Sequence, residues 1–112
     1  MSDEERIRRV GHNEALYRQV NDRIEEINTG FAELTGEFTV VCECGELTCM
    51  EQISVVRATY EQTRANPMRF VVKPGHEIGD VETVVESHDG FVIVEKTAPT
   101  ARRVAAETDP RS

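Results

Sequence analysis

Cys42-x-Cys44-x4-Cys49 is the one arrangement in this chain whose residue types and spacing call for chemistry. On an extended strand, residues two apart face the same way, which puts Cys42 and Cys44 on one side. A hairpin loop over residues 45–48 sets Cys49 opposite Cys44, with β-carbons about 4.5–5.5 Å apart. Three sulfurs then crowd one end of a hairpin, where thiolates repel one another unless a cation neutralises them. Zinc takes four ligands in a tetrahedron, commonly sulfur and imidazole nitrogen. The pattern offers His76 as the fourth, after the turn pair Pro74-Gly75 and with 26 residues between it and Cys49. That interval is long enough for a helix and a strand to go out and return. His88, at a hairpin turn, is a second candidate, and His12 a third.

The same cysteines have other readings. One is a redox pair or reactive thiol, most naturally a Cys44–Cys49 disulfide. Another is three buried thiols with no chemical role, which cysteine tolerates well. Three is an odd number, so a complete disulfide framework is excluded. Glu43, Glu46 and Glu51 stand around the trio, and nearby anions raise a thiol pKa. That weighs against a reactive thiol unless Arg69 or Lys73 approaches in the fold. A closed set of Cys42, Cys44, Cys49 and His76 leaves no open position for water or substrate, so the zinc ion would be structural. Metal binding would then be part of folding. A metal-responsive switch would use the same ligands with faster exchange.

No catalytic residue and no other cofactor is assigned. The chain has no His-Glu-x-x-His, Gly-x-Ser-x-Gly, phosphate-binding glycine loop or dinucleotide fingerprint. Ser87 and His88 are sequence neighbours, a poor geometry for a nucleophile and its base. The expectation is a protein-binding or regulatory module rather than an enzyme, with a thiol-based redox sensor or oxidoreductase as the alternative.

Charge narrows the partners. Across 112 residues, 13 Lys and Arg face 21 Asp and Glu, a formal charge of −8. Residues 1–23 balance to zero, so the whole excess lies in residues 24–112. Nucleic acid is excluded as a partner, because phosphate neutralisation needs clustered cations. An acidic surface favours a basic protein partner. The longest apolar run, residues 91–94, is far too short to span a membrane. The opening Met-Ser-Asp-Glu-Glu-Arg is no secretory signal, and the expected location is cytoplasmic.

The elements that must position the cysteines read as α+β. Val10, Tyr17, Ile24 and Phe31 recur every seven residues, with Val20, Ile27 and Leu34 three positions after members of that series, a helical stripe. A helix over residues 13–28 follows, with Asn13 as N-cap and Asn28-Thr29-Gly30 as the stop. Its stripe is expected to lie on the protein's own sheet, with a homodimer through this helix as the other option. Residues 37–44 and 49–53 read as a cysteine-bearing hairpin, 54–63 as a short helix and 68–73 as a strand. Residues 81–86 and 91–95 flank Asp89-Gly90, a hairpin signal, although a helix over 79–87 also fits the pattern. The expected organisation is a mobile or loosely helical N-terminus (1–12), one domain (13–96) with its helices on a small, mostly antiparallel sheet, and a flexible C-terminal tail (97–112).

Residues 13–24, the Cys-Glu-Cys-Gly-Glu run at 42–46 with Cys49, the segment 69–77 ending in Pro-Gly-His-Glu, and residues 89–96 resemble a group of small, acidic, uncharacterised actinobacterial proteins. The closing run at 106–111 is similar to theirs as well. The resemblance covers the chain from about residue 12 onward. It implies a cytosolic single-domain protein and carries over no activity and no site residue.

Overall fold

A computed structural model describes residues 3–28, 36–46 and 48–111. Their order is α1 (Asp3–Asn28), β1 (Glu37–Val41), β2 (Gln52–Val56), α2 (Arg57–Arg64), β3 (Arg69–Val72), β4 (Glu82–His88), β5 (Phe91–Lys96) and α3 (Pro99–Glu107). The class is α+β, as expected. The strands form two small antiparallel sheets rather than one, β1-β2 and β3-β5-β4.

Alternation explains the first sheet. Phe38 and Val40 face Val55 and Ile53 in register, and all four are buried while Thr39 and Ser54 point to solvent. β3 and β5 read differently, because they are covered on both faces. Phe70, Val71 and Val72 and all of residues 91–94 are buried, which suits their continuous apolar runs. β4 is a strand, not the helix its imperfect alternation also allowed. Gly90 turns it into β5 at φ 86°, in the left-handed region that the Asp-Gly signal anticipates. A single apolar cluster joins both sheets, with Phe38 edge-on to Tyr60 at 5.4 Å.

The helices depart from expectation in three ways. First, α1 runs unbroken from Asp3, so residues 3–12 are regular helix and Asn13 is an interior position, not an N-cap. Gly11 does not break the helix, because its bare Cα lets Val104 of α3 pack against it, and a Cβ there would lie 3.0 Å from Val104 Cγ1. Second, α1 buries polar residues. Glu14, Arg18, Asn21, Asp22 and Glu25 face the protein, whereas Leu16, Val20 and Ile27 are 50%, 41% and 64% exposed. Val20 and Ile27 of the expected stripe therefore look outward, and Phe31 and Leu34 lie outside the described residues. Third, Pro99–Glu107 is a helix in the expected tail. Proline opens it at a position where its missing N–H costs nothing, and Thr100, Ala101, Val104 and Ala105 are buried. The segment 54–63 divides into the end of β2 and α2.

The buried charges of α1 meet opposite charges from distant segments. Lys96 donates to Glu14 and to Glu82, all three out of solvent. Arg18 donates to the carbonyls of Pro67 (2.7 Å) and Ala105 (2.9 Å) and lies over the Phe70 ring. Asp22 accepts from Arg64 at 2.8 Å and from the Tyr60 hydroxyl at 2.7 Å. Arg64 also donates to Asp109 at 2.6 Å, beyond α3, which ties the C-terminal segment to α1 and α2.

Candidate metal centre

The hairpin that carries the cysteines is paired only at its base. Continuing the β1–β2 register would face Cys44 with Cys49, but the ladder ends where the Cys42 N–H donates to the Glu51 carbonyl at 2.8 Å. At the next residue the chain turns to a new partner, and the Glu43 N–H donates to the Val71 carbonyl of β3 at 2.8 Å. Cys44 and Cys49 therefore sit on an unpaired loop, not on facing strands. That loop is closed by the Cys49 N–H donating to the Glu46 carbonyl at 3.0 Å.

Glu43 makes this turn possible. Strand alternation sends its side chain away from Cys42 and Cys44, toward α1 and β3. There Oε1 accepts the Val71 N–H at 3.0 Å and Oε2 accepts the Asn21 amide at 2.8 Å. Full burial pushes its carboxyl up to about 7 against these hydrogen bonds, which favour the ionised form. Asn21 also donates to the Val41 carbonyl and accepts the Val41 N–H, so one helix residue holds the start of the cysteine segment from both sides.

His76 arrives on a turn after β3. Gly75 adopts φ 89°, where a side chain would be strained, and the His76 N–H donates to the Lys73 carbonyl at 3.0 Å. The ring is thereby aimed at the cysteines. Its Nδ1 lies 3.7 Å from Cys42 Sγ and 3.5 Å from Cys49 Sγ. The three sulfurs and one imidazole nitrogen all fall within 4.8 Å of one another. This Cys42, Cys44, Cys49 and His76 group could hold a metal ion, and it joins the cysteine loop to a turn 27 residues beyond Cys49. It is the one such group among the described residues. All three thiols are free.

The other two histidines stay apart. His88 is exposed, stacks on Phe91 at 4.8 Å and lies 2.9 Å from Glu86. His12 is exposed on α1.

Burial favours the protonated form of Cys42 and Cys44, raising their pKa values above the usual thiol range. Backbone N–H groups oppose this, those of Lys73 and Cys44 at Cys42 and that of Glu46 at Cys44. The Lys73 N–H reaches Cys42 Sγ at 3.2 Å. It is thus the main chain of Lys73, not its ammonium, that serves the site, while Arg69 pairs with Glu95 at 2.9 Å.

A cleft of about 270 Å³ opens beside the group, between Cys44, His76, Ile78 and Val10 of α1. Gly45 lets α1 approach here, since a Cβ would fall 2.4 Å from Val10 Cγ1. The Asn13 amide donates to the Gly45 carbonyl at 3.1 Å. Sequence reading missed these supports. Alternation could have placed Glu43 opposite the sulfurs, but nothing local marks Asn13 or Gly45 as touching across the fold.

The chain is thus an α+β protein with a Cys3His group able to hold a metal. No protein-family model, curated protein or solved structure matches it. No helix among the described residues is long and apolar enough to cross a membrane.

Proposed function

We propose that this chain is a small cytoplasmic protein-binding or regulatory module whose cysteine loop is fastened by a structural zinc ion. One observation carries the zinc assignment. With Zn–S near 2.3 Å and Zn–N near 2.0–2.1 Å, a tetrahedron has a sulfur-to-nitrogen edge of about 3.6 Å. The two sulfur-to-Nδ1 distances, 3.5 and 3.7 Å, fall on either side of that edge.

Four protein ligands complete the shell, so the ion would fasten the fold rather than activate water. The N–H groups directed at Cys42 and Cys44 are the outer-shell donors that steady thiolate ligands. Buried thiols with raised pKa values are poor nucleophiles, which speaks against the redox alternative. Free cysteines suit a reducing compartment. The regulatory assignment is supported by the charge of −8 and by a complete metal shell with no place for substrate.

Native mass spectrometry of freshly purified protein beside His76→Ala tests this reading. One zinc per chain, lost or weakened in the variant, is the expected result. A metal-free chain whose fold is unchanged in strong chelator overturns it, and a mass two hydrogens light would indicate a disulfide instead.

A further inference from the structure

The two halves of α1 rest on different supports. Its N-terminal half stands on the two segments that bring the metal ligands. Val10 packs on Gly45, Asn13 donates to the Gly45 carbonyl, and Arg6 pairs with Asp80 in the stretch that follows His76. Gly45 lies next to Cys44, and Val10 and Ile78 share the cleft that Cys44 and His76 line. The C-terminal half is held by Arg18 on the Pro67 and Ala105 carbonyls and by Asp22 on Arg64 and Tyr60, and it meets the cysteine segment only at Asn21, on Val41 at the end of β1 and on Glu43, which is itself paired to β3.

We infer that zinc occupancy and the docking of the N-terminal half of α1 are thermodynamically linked, so that the ion regulates this half-helix. The inference rests on the zinc reading above. The physical reason is that residues 44–46 and 76–80 are two loops with few backbone hydrogen bonds of their own, and the ion is what would hold them in one arrangement. Without it, each loop keeps its own few hydrogen bonds, such as the Cys49 N–H to the Glu46 carbonyl and the Ile78 N–H to Glu82, but only weak sulfur contacts join one loop to the other at the ligand group, and the platform under Val10 and Asn13 loosens. α3 also touches this half, through Val104 on Gly11 and a Thr100 hydroxyl donating to Glu4 at 3.0 Å. Those contacts survive metal loss, so the linkage is partial rather than all-or-none.

Linkage is reciprocal: what zinc does for the helix, the helix must do for zinc, by the same factor. Asn13→Ala touches no ligand, yet it should weaken zinc binding roughly 5-fold or more, the lower end of ordinary coupling. Arg6→Ala, at an exposed pair, offers a milder second variant. Zinc affinity is read by competition with a chelator of known affinity. Amide hydrogen exchange is followed with and without zinc on the intact chain. On zinc removal, exchange over residues 4–13 should accelerate at least about 5-fold more than over residues 18–27.

Equal acceleration in both halves, or none, overturns the inference while leaving a zinc site standing. Unchanged zinc affinity in both Asn13→Ala and Arg6→Ala also overturns it. A wild-type chain that binds no zinc removes the reading beneath it, an outcome distinguishable from the others by stoichiometry alone.

Discussion

Replacing Lys96 by methionine is the sharpest test of how α1 is held. The ammonium is 1% exposed and donates to Glu14 and Glu82, which are equally buried. It also lies 5.0 Å from the Phe70 ring centroid. Methionine fills similar space, so the lost quantity is charge. Two carboxyls are then left without a counter-ion, and breaking a buried pair in this way costs about 3–5 kcal/mol. Against a total stability of roughly 5–15 kcal/mol for a small domain, that is a large fraction.

The pH dependence gives the test its direction. Burial already raises the Glu14 carboxyl from 4.5 to about 8, with Lys96 opposing the shift. A carboxyl raised in the folded state contributes stability below its unfolded pKa and loses it as pH climbs toward the folded value. Removing Lys96 raises Glu14 further. Below about pH 8 both folded proteins keep the Glu14 proton, so the Glu14 share of the Lys96→Met deficit is level there and grows only above about pH 8, by at most about 1.4 kcal/mol per pH unit. Urea unfolding of both proteins from about pH 6 to about pH 10 measures it. Combining Lys96→Met with Glu14→Leu and Glu82→Gln should restore most of the loss, since glutamine keeps an acceptor for the Ile78 N–H at 3.1 Å. A single variant within about 1 kcal/mol of wild type at pH 8 would refute the reasoning, as would a triple variant no better than the single.

The other expectations follow from the same contacts. Tyr60→Phe removes the hydroxyl that donates to Asp22 at 2.7 Å and should cost about 1 kcal/mol, whereas Asp22→Asn removes one of the two carboxylates on buried Arg64, Asp109 remaining, and should cost about 1.5–3 kcal/mol; urea midpoints separate the two. Val104→Ala empties the contact of α3 with Gly11 and should lower stability by about 1–3 kcal/mol in thermal unfolding. Lowering pH from 7 to about 5 should release zinc with uptake of more than one proton per ion, because thiolate and imidazole ligands must be deprotonated to bind; a metal-sensitive dye in a pH titration reads the release.

What the sequence could reveal depended on how local the cause was. The Cys-x-Cys-x4-Cys spacing and Pro74-Gly75-His76 were legible because ligand chemistry is written in residue types and the Pro-Gly pair is a turn wherever it stands. The β5 strand and the Asp89-Gly90 hairpin were legible for the same reason, as an apolar run and a turn dipeptide. The start of α1 was not, since glycine inside a helix reads as a break until Val104 is known to occupy the space a Cβ would need. Nor was α3, whose short apolar positions are buried only because α1 lies against them. The inward face of α1 was the deepest misreading: its polar residues read as a solvated face, because Lys96, Arg64 and the Ala105 carbonyl that receive them lie 42 to 87 residues away.

That polar face changes what holding a helix means. An apolar stripe on an apolar sheet can shift along or around its axis at modest cost, because hydrophobic contact is non-directional. Along α1, Asn13, Glu14, Arg18, Asn21 and Asp22 each meet partner groups of opposite charge or complementary hydrogen-bonding sense. A displacement of one turn, about 5.4 Å, would break all of these together and leave charges buried without partners. The exposed Leu16, Val20 and Ile27 need contribute nothing to this seat. The helix is thus fixed by directional groups along its inner face, and only where that face crosses Gly45 does its position depend on loops that have no ladder of their own. A metal held between those loops would act at the one stretch where the directional contacts rest on an unpaired backbone.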